Sequence, residues 1–414
     1  MKLDAANGYY SPSFFFMKIE SDEDINQCIQ NNEQTFIHEY IHFLQDLILP
    51  YSIRATLISN RDFALVCSTS FHEREITKPF THWDDDSLLT RNQSIYSWGA
   101  GLGEPFINHE KKIISISKDS FDNPNGTKVY AYILDLGDEN YHIGARDFLE
   151  YIAHKIESKH WKTNHPAYPY KSVDLLFEYL GFDSLSDDVK ICIVEFSLYN
   201  DNPMNQFMFL MDFIQTKNLT MQLASYNECK SLLMSIQWNC NSGISETLHS
   251  KTERRLLDLN ESLDEKYNNK TFSSIQEWIS LVISYSKDEF ANRFIFTELF
   301  MLNNKHFVAK ISKYIKDIGI PLVFNNKDEC VSLLPSKFDQ NQFIQLYTAH
   351  QFMSFIAKKD NSCDLQSYCN SNQPSIIDEN CSTNAIARAN CKELCPFGAF
   401  VKSYGLHDII WKDA

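Results

Sequence analysis

The 414-residue chain lacks an excess of basic residues, long apolar runs and an N-terminal segment that resembles a signal peptide. Its 38 Lys and Arg against 54 Asp and Glu give a net charge of −16, which does not provide the basic surface used by nucleic-acid binders. No window approaches the roughly 18 apolar residues of a transmembrane helix. The segment FFFM is too short for a signal-peptide core. We therefore expect a soluble, cytoplasmic protein that binds neither nucleic acid nor membranes.

The pattern of apolar residues predicts an α+β, mainly α, protein. Helices are predicted at 32–49, where Pro50 should end the first helix, and at 145–161. Between them, Phe63–Phe71, Lys112–Ser120 and Lys128–Leu136 are rich in β-branched and aromatic residues. The loops WGAGLGEP and DNPNGT lie in the same region. This composition predicts a small antiparallel sheet.

The rest of the chain reads as a large helical region and a cysteine-rich tail. Residues 173–358 are mostly helical in pattern, with one strand-like interruption, GIPLVF. Residues 162–172 carry several polar residues and prolines and are the best candidate for a linker. The predicted units are a catalytic region at 1–165, a helical region at 166–358 and the tail at 359–414.

The sequence TFIHEYIHFLQDL, from Thr35 to Leu47, places two histidines and a glutamate in the pattern H-E-x-x-H. On a helix, His38 and His42 share one face, and Glu39 can reach a water molecule held there. Zinc favours neutral imidazole ligands and acidifies a bound water, whose proton a carboxylate can accept. The neighbouring side chains are apolar, and burying these polar groups without partners is costly. We therefore predict a zinc site; the alternative is a pair of hydrogen-bonded core histidines.

This helix resembles the active-site helix of the zincin metallopeptidases. The metzincin branch is excluded because its continuation H-x-x-G-x-x-H is missing from HEYIHFLQDLI. The resemblance favours the gluzincin branch, which takes a glutamate ligand from a later helix. In GARDFLEYIAHKIE, Glu150 fits that ligand, and Ala153 would let two helices approach closely. The resemblance thus implies zinc bound by His38, His42 and Glu150, with Glu39 as the general base, in a zincin-like catalytic region.

Two further residues bear on the expected site. His154 is four residues after Glu150, on the same helical face, and is the alternative third ligand. Asp46, four residues after His42, is a candidate acceptor for an imidazole N–H, although a surface position suits it equally well. In related enzymes a Tyr, His or Arg from another segment stabilises the oxyanion, and the sequence does not identify that residue.

Five of the eleven cysteines lie in the tail, at Cys363, Cys369, Cys381, Cys391 and Cys395. Their spacing contains neither a C-x-x-C knuckle nor a ferredoxin pattern, so it is not a clean match to a zinc ribbon or an iron–sulfur site. The segment around them is polar and needs a cross-link or metal to become ordered. We expect a second, structural zinc held by four of the five thiolates; disulfides and uncommitted thiols are the alternatives.

These patterns together predict a zinc-dependent endopeptidase acting on a protein or peptide substrate. Zinc-activated water attacks the scissile carbonyl, and Glu39 passes the proton to the leaving amine. The helical region would form the far wall of the cleft. Two alternatives stay open: a zinc hydrolase acting on a non-peptide amide, as deformylases do, or an inactive zinc-binding module that binds a protein partner.

Overall fold

The computed structural model describes residues 3–5, 7–99, 107–122, 128–163, 165–239, 245–268, 270–290 and 293–413. Most of the two predicted loops, WGAGLGEP and DNPNGT, lies outside these ranges. The protein is α+β and mainly helical, as the sequence predicts.

The helices, numbered along the chain, are α1 (Ile25–Asn31), α2 (Glu33–Ile48), α3 (Pro50–Glu73), α4 (Asp85–Trp98), α5 (Ala145–His160), α6 (Ser172–Tyr179), α7 (Asp187–Ser197), α8 (Pro203–Thr216), α9 (Tyr226–Ser235), α10 (Leu248–Lys266), α11 (Ser273–Glu289), α12 (Ile295–Met301), α13 (Asn304–Asp317), α14 (Ile344–Ala357), α15 (Gln366–Asn372), α16 (Asn380–Thr383) and α17 (Pro396–Ser403). The strands are β1 (Leu3–Ala5), β2 (Gly8–Ser11), β3 (Phe16–Ile19), β4 (Glu75–Lys78), β5 (Ser115–Asp122), β6 (Lys128–Asp135), β7 (Asn140–Ile143), β8 (Trp238–Asn239), β9 (Ser245–Glu246), β10 (Leu322–Phe324), β11 (Cys330–Val331) and β12 (Ile410–Asp413).

One sheet joins segments that are far apart in the sequence. Its strand order is β1-β2-β3-β10-β11, and β10 runs parallel to β3 with Leu322 opposite Phe16. The strand prediction for GIPLVF is therefore confirmed. The buried hydrophobic residues form one connected core, whose first member along the chain is Tyr10 and whose last is Ile409. The three predicted units share this core, and their boundaries remain a prediction.

The strand predicted at Phe63–Phe71 is wrong, because this segment lies wholly within helix α3. Pro50 is its first residue, where the missing N–H of proline costs no hydrogen bond. The buried residues Thr56, Asn60, Phe63, Val66 and Ser70 recur at intervals of three and four, which is the spacing of a helix. Packing of this face, mainly against α10, overrides the β propensity of the local sequence.

Strands β5, β6 and β7 form a small antiparallel sheet that leads directly into α5. Strands β5 and β6 overlap the strands predicted at Lys112–Ser120 and Lys128–Leu136. Helix α5 starts after Gly144, whose N–H donates to the carboxylate of Asp147 at 3.0 Å. The hydroxyls of Tyr141 and Ser172 also donate to Asp147, each at 2.7 Å. These bonds fix the start of α5 and its rotation, on which the direction of Glu150 depends.

The C-terminal segment docks on the N-terminal half of the chain. Helix α17 begins directly after Cys395, and β12 pairs in parallel with β4, with Trp411 opposite Ile76. Helix α17 and strand β12 thus close the chain against the rest of the protein. Among the described helices, none combines the length and apolar character needed to cross a membrane.

Candidate metal site

Helix α2 is buried on nearly every side, as its apolar sequence predicts. Every residue from Thr35 to Ile48 is buried, with α3, α5, α11 and the strand β2 packed around it. His38, Glu39 and His42 each expose at most 1% of their surface. Polar side chains in such a place must find their partners inside the protein.

Helix α5 brings Glu150 to the two histidines. Glu150 Oε2 lies 3.2 Å from His38 Nε2 and 3.3 Å from His42 Nε2, and the two Nε2 atoms lie 3.1 Å apart. Zinc–ligand distances of about 2.0–2.2 Å at tetrahedral angles would place ligand atoms about 3.3–3.6 Å apart. The three atoms therefore form a face close in size to that of a zinc tetrahedron. We call His38, His42 and Glu150 the triad.

The outer nitrogen of each histidine has its own hydrogen-bond partner. His38 Nδ1 lies 2.9 Å from Glu157 Oε2, and His42 Nδ1 lies 2.7 Å from Gln45 Oε1. Gln45 also donates from Nε2 to the carbonyl oxygen of Leu149 at 3.0 Å, which orients its oxygen toward His42. With hydrogens on both Nδ1 atoms, both Nε2 lone pairs point inward. This is the tautomer that a metal ligand requires.

Asp46 does not take the position that its spacing from His42 suggests. Its carboxylate accepts hydrogen bonds from the Tyr10 hydroxyl at 3.0 Å and from the Ser13 N–H at 2.8 Å. It is nevertheless buried, so the alternative surface position is also wrong. The predicted acceptor for the imidazole is corrected to Gln45, one residue earlier, because the rotation of α2 turns Asp46 toward the N-terminal strands.

His154 does not join the triad. It lies one turn after Glu150 on α5 and groups with Glu157 and His165. Glu157 Oε2 is 3.1 Å from His165 Nε2 and 3.8 Å from His154 Nδ1. Of the two residues predicted as third ligand, the structure brings Glu150 to His38 and His42. Glu157 was missed, although Glu150, His154 and Glu157 share one helical face by their spacing of four and three.

Glu39 lies beside the triad and faces strand β2. A Cβ atom built on Gly8 would lie 3.4 Å from Glu39 Oε1, so the carboxylate lies next to the backbone of β2. The negative charge of Glu39 contributes to raising the pKa of His38. Glu39 therefore lies within electrostatic range of His38, and its role as general base stays a prediction.

Tyr170 forms another wall of the site, and it comes from the segment predicted as a linker. Its ring centroid lies 6.1 Å from that of His38 and 4.6 Å from that of His165. Burial, followed by the charge of Glu150, raises the pKa of Tyr170 well above its usual value. The hydroxyl therefore stays protonated next to the carboxylates. Residues 162–172 have no periodic pattern, so their contribution to the site could not be predicted.

The charges of the triad are complementary. Burial alone would raise the pKa of Glu150, but His42 and His38 lower it to about 2. Burial lowers the pKa of His38, but hydrogen bonds to Glu150 and Glu157 outweigh this effect and raise it well above its usual value. The arrangement therefore favours positive charge between the three ligand atoms, and a metal ion would compete with protons for that position.

The cysteines of the tail come together only in part. Cys363, Cys369, Cys381 and Cys395 are buried, and the charges of the other three contribute to raising the pKa of Cys363 to about 12, after burial. Cys391 is more exposed, and the described cysteines are all free thiols. Among the described residues, no three of these sulfur atoms lie within 4.8 Å of one another, a spacing that the two His/Glu groups do meet. The structural zinc of the tail remains a prediction.

Family models, curated proteins and solved structures offer no match to this chain. The resemblance to zincins therefore depends on the motif residues alone.

Proposed function

We propose that this chain is a zinc-dependent endopeptidase. The observation that carries the proposal is the separation of 3.1–3.3 Å between His38 Nε2, His42 Nε2 and Glu150 Oε2. Three protein ligands leave a fourth position for water or substrate, which is typical of catalytic zinc sites. The resemblance of HEYIH and FLEYIAH to the two zincin helices implies that the substrate is a peptide.

Each side chain of the site then has a role. The triad would hold zinc, which supplies an acidified water and polarises the scissile carbonyl. Glu39 would accept the proton of the attacking water and deliver it to the leaving amine. Tyr170, which keeps its proton, would donate a hydrogen bond to the negative charge that develops on the substrate oxygen.

The burial of the ligands supports a second candidate function. Glu39 and Glu150 are fully buried, so a peptide would reach them only after neighbouring elements move apart. Enclosed sites are typical of zinc ions that stabilise a fold. An inactive zinc-binding module, with the helical region as a surface for a protein partner, is therefore the second candidate.

A matched pair of glutamate variants separates these functions. Glu39→Gln removes the proposed general base while leaving the triad intact, and Glu33→Gln makes the same change at the exposed start of the same helix. Bound zinc and cleavage of a denatured protein substrate would be measured for both variants and for the wild type. We expect Glu39→Gln to keep its zinc and lose cleavage, and Glu33→Gln to keep both.

Three results would lead to other conclusions. Zinc binding without cleavage by the wild type would favour the inactive module. Hydrolysis of small N-acyl or N-formyl amides, but not of proteins, would favour the non-peptide amidase. A wild type whose zinc content is unchanged by His42→Ala would show that the triad holds no zinc.

A further inference from the structure

We propose that His154, Glu157 and His165 bind a second divalent metal ion of the zinc type, next to the triad. We call these three residues the second group. Its members come from the last turns of α5 and from the segment that follows the helix. The inference does not depend on the proposed peptidase activity, because it concerns a different set of ligands.

The spacing of the second group suits a small cation. Glu157 Oε2 lies 3.1 Å from His165 Nε2 and 3.8 Å from His154 Nδ1, and one ligand atom from each residue lies within 4.8 Å of the others. These distances bracket the separation of about 3.3–3.6 Å between ligand atoms of tetrahedral zinc. Two imidazoles and one carboxylate are also a common zinc ligand set.

His154 provides an independent indication of a missing partner. Its side chain is buried, with 9% of the residue exposed, and Nδ1 has no hydrogen-bond partner among the described residues. This nitrogen faces Glu157 Oε2 from 3.8 Å, which is too far for a hydrogen bond. Leaving a buried polar group without a hydrogen-bond partner is unfavourable, because the group has lost its contacts with water. A metal ion between His154 and Glu157 would satisfy it.

The balance of charge also favours a second cation. Glu39, Glu150 and Glu157 are all buried, with at most 1% of each exposed, so three carboxylates lie close together in the core. A dication at the triad, as proposed above, would neutralise two of them. The ion-pair partners of Glu157 are histidines, which are cationic only when protonated. A second metal ion would neutralise the remaining carboxylate without protonated histidines.

Glu157 connects the two sites. The same Oε2 atom that faces His154 and His165 lies 2.9 Å from His38 Nδ1, while Gln34 Nε2 donates to Oε1 at 2.6 Å. A metal ion bound to Glu157 would draw electron density from this carboxylate and so weaken its hydrogen bond with His38. Zinc affinities of the two sites should therefore be coupled, and by thermodynamic linkage the effect must be equal in both directions.

Metal counting with matched variants tests the proposal. The full chain would be freed of metal, reloaded with zinc and separated from unbound ion, and zinc per chain would be measured. His165→Gln keeps an N–H donor for Glu157 but replaces the imidazole ligand, His154→Ala removes the second ligand, and His72→Ala removes an exposed histidine as a control. We expect His165→Gln and His154→Ala each to bind one zinc fewer than the wild type, and His72→Ala to bind the same number.

The test of the second site still gives an answer if one of the two variants, His165→Gln or His154→Ala, fails to fold. Circular dichroism would confirm the fold of each, and the tail contributes equally to all, so only differences in count matter. Equal zinc in wild type, His165→Gln and His154→Ala would overturn the second site and leave a hydrogen-bonded His165–Glu157 pair. His42→Ala reports on the triad separately. If His42→Ala binds one zinc fewer than the wild type and the His165 and His154 variants bind the same number, the triad is supported and the second site is refuted. If only the His165 and His154 variants bind one zinc fewer, the second site is supported and the triad is refuted.

Discussion

Replacing Gln45 by methionine tests the hydrogen bonds that hold the triad in place. The Gln45 side chain is 1% exposed and connects His42 Nδ1, at 2.7 Å, to the carbonyl oxygen of Leu149, at 3.0 Å. Methionine has a similar length and volume but cannot serve either partner. The substitution therefore removes both hydrogen bonds while keeping the packing of α2 against α5 largely intact.

The magnitude follows from the two partners that are left unsatisfied. Each costs about 1–3 kcal/mol, so the metal-free variant should lose about 2–6 kcal/mol of unfolding free energy. Only the bond to His42 concerns the metal. Loss of a comparable outer partner of a metal-bound histidine weakens binding about 10–100-fold, which is about 1.4–2.7 kcal/mol. We therefore expect weaker zinc binding in addition to lower stability.

The assay compares Gln45→Met with Asp46→Asn, its neighbour on α2. Zinc affinity would be measured by competition with a chromophoric chelator, and stability by urea unfolding of the metal-free proteins. Asp46 bonds to Tyr10 and Ser13, so Asp46→Asn should keep zinc affinity near that of the wild type. Unchanged affinity in Gln45→Met, or a larger loss in Asp46→Asn, would refute this account and restore Asp46 to the role predicted from the sequence.

Three further substitutions test the core. Burial lowers the pKa of Lys266 from 10.5 to about 7; the unfolded state then binds more protons, so wild-type stability should rise between about pH 7 and pH 10.5. Lys266→Met should lack this rise and be more stable at pH 7 in urea unfolding, by at most about 2–4 kcal/mol because Asn60 Oδ1 loses its donor at 2.9 Å. Glu195→Ala should cost about 2–6 kcal/mol in the same assay, because the Thr297 N–H and hydroxyl, at 2.9 and 2.8 Å, lose their acceptor. Gly144→Ala should lower Tm in calorimetry, since its Cβ would lie 2.5 Å from the Gly99 nitrogen; an unchanged Tm would contradict that contact.

The two helices that build the triad could be predicted because each has a strong local pattern. Helix α2 is apolar around its whole circumference, and α5 has an acidic N-terminal turn and a periodic apolar face. The strand predicted at Phe63–Phe71 was wrong for the opposite reason. Its β-branched residues favour a strand locally, and only the longer spacing from Thr56 to Ser70 reveals the helical face that packs on α10. A pattern spanning several turns is therefore a better guide than composition within nine residues.

The partners of the site residues depend on tertiary contacts that spacing does not contain. Helical spacing places His38 and His42 on one face, but Gln45 is oriented toward His42 only because its amide donates to Leu149 on α5. Similarly, Glu157 could be placed on the face of Glu150 by counting turns, yet His165 reaches it from a segment without periodicity. Helix geometry thus specifies which side chains point the same way, whereas the packing of α2, α5 and residues 165–170 decides which atoms meet. The choice between Gln45 and Asp46, one residue apart, shows that this second step requires the three-dimensional structure.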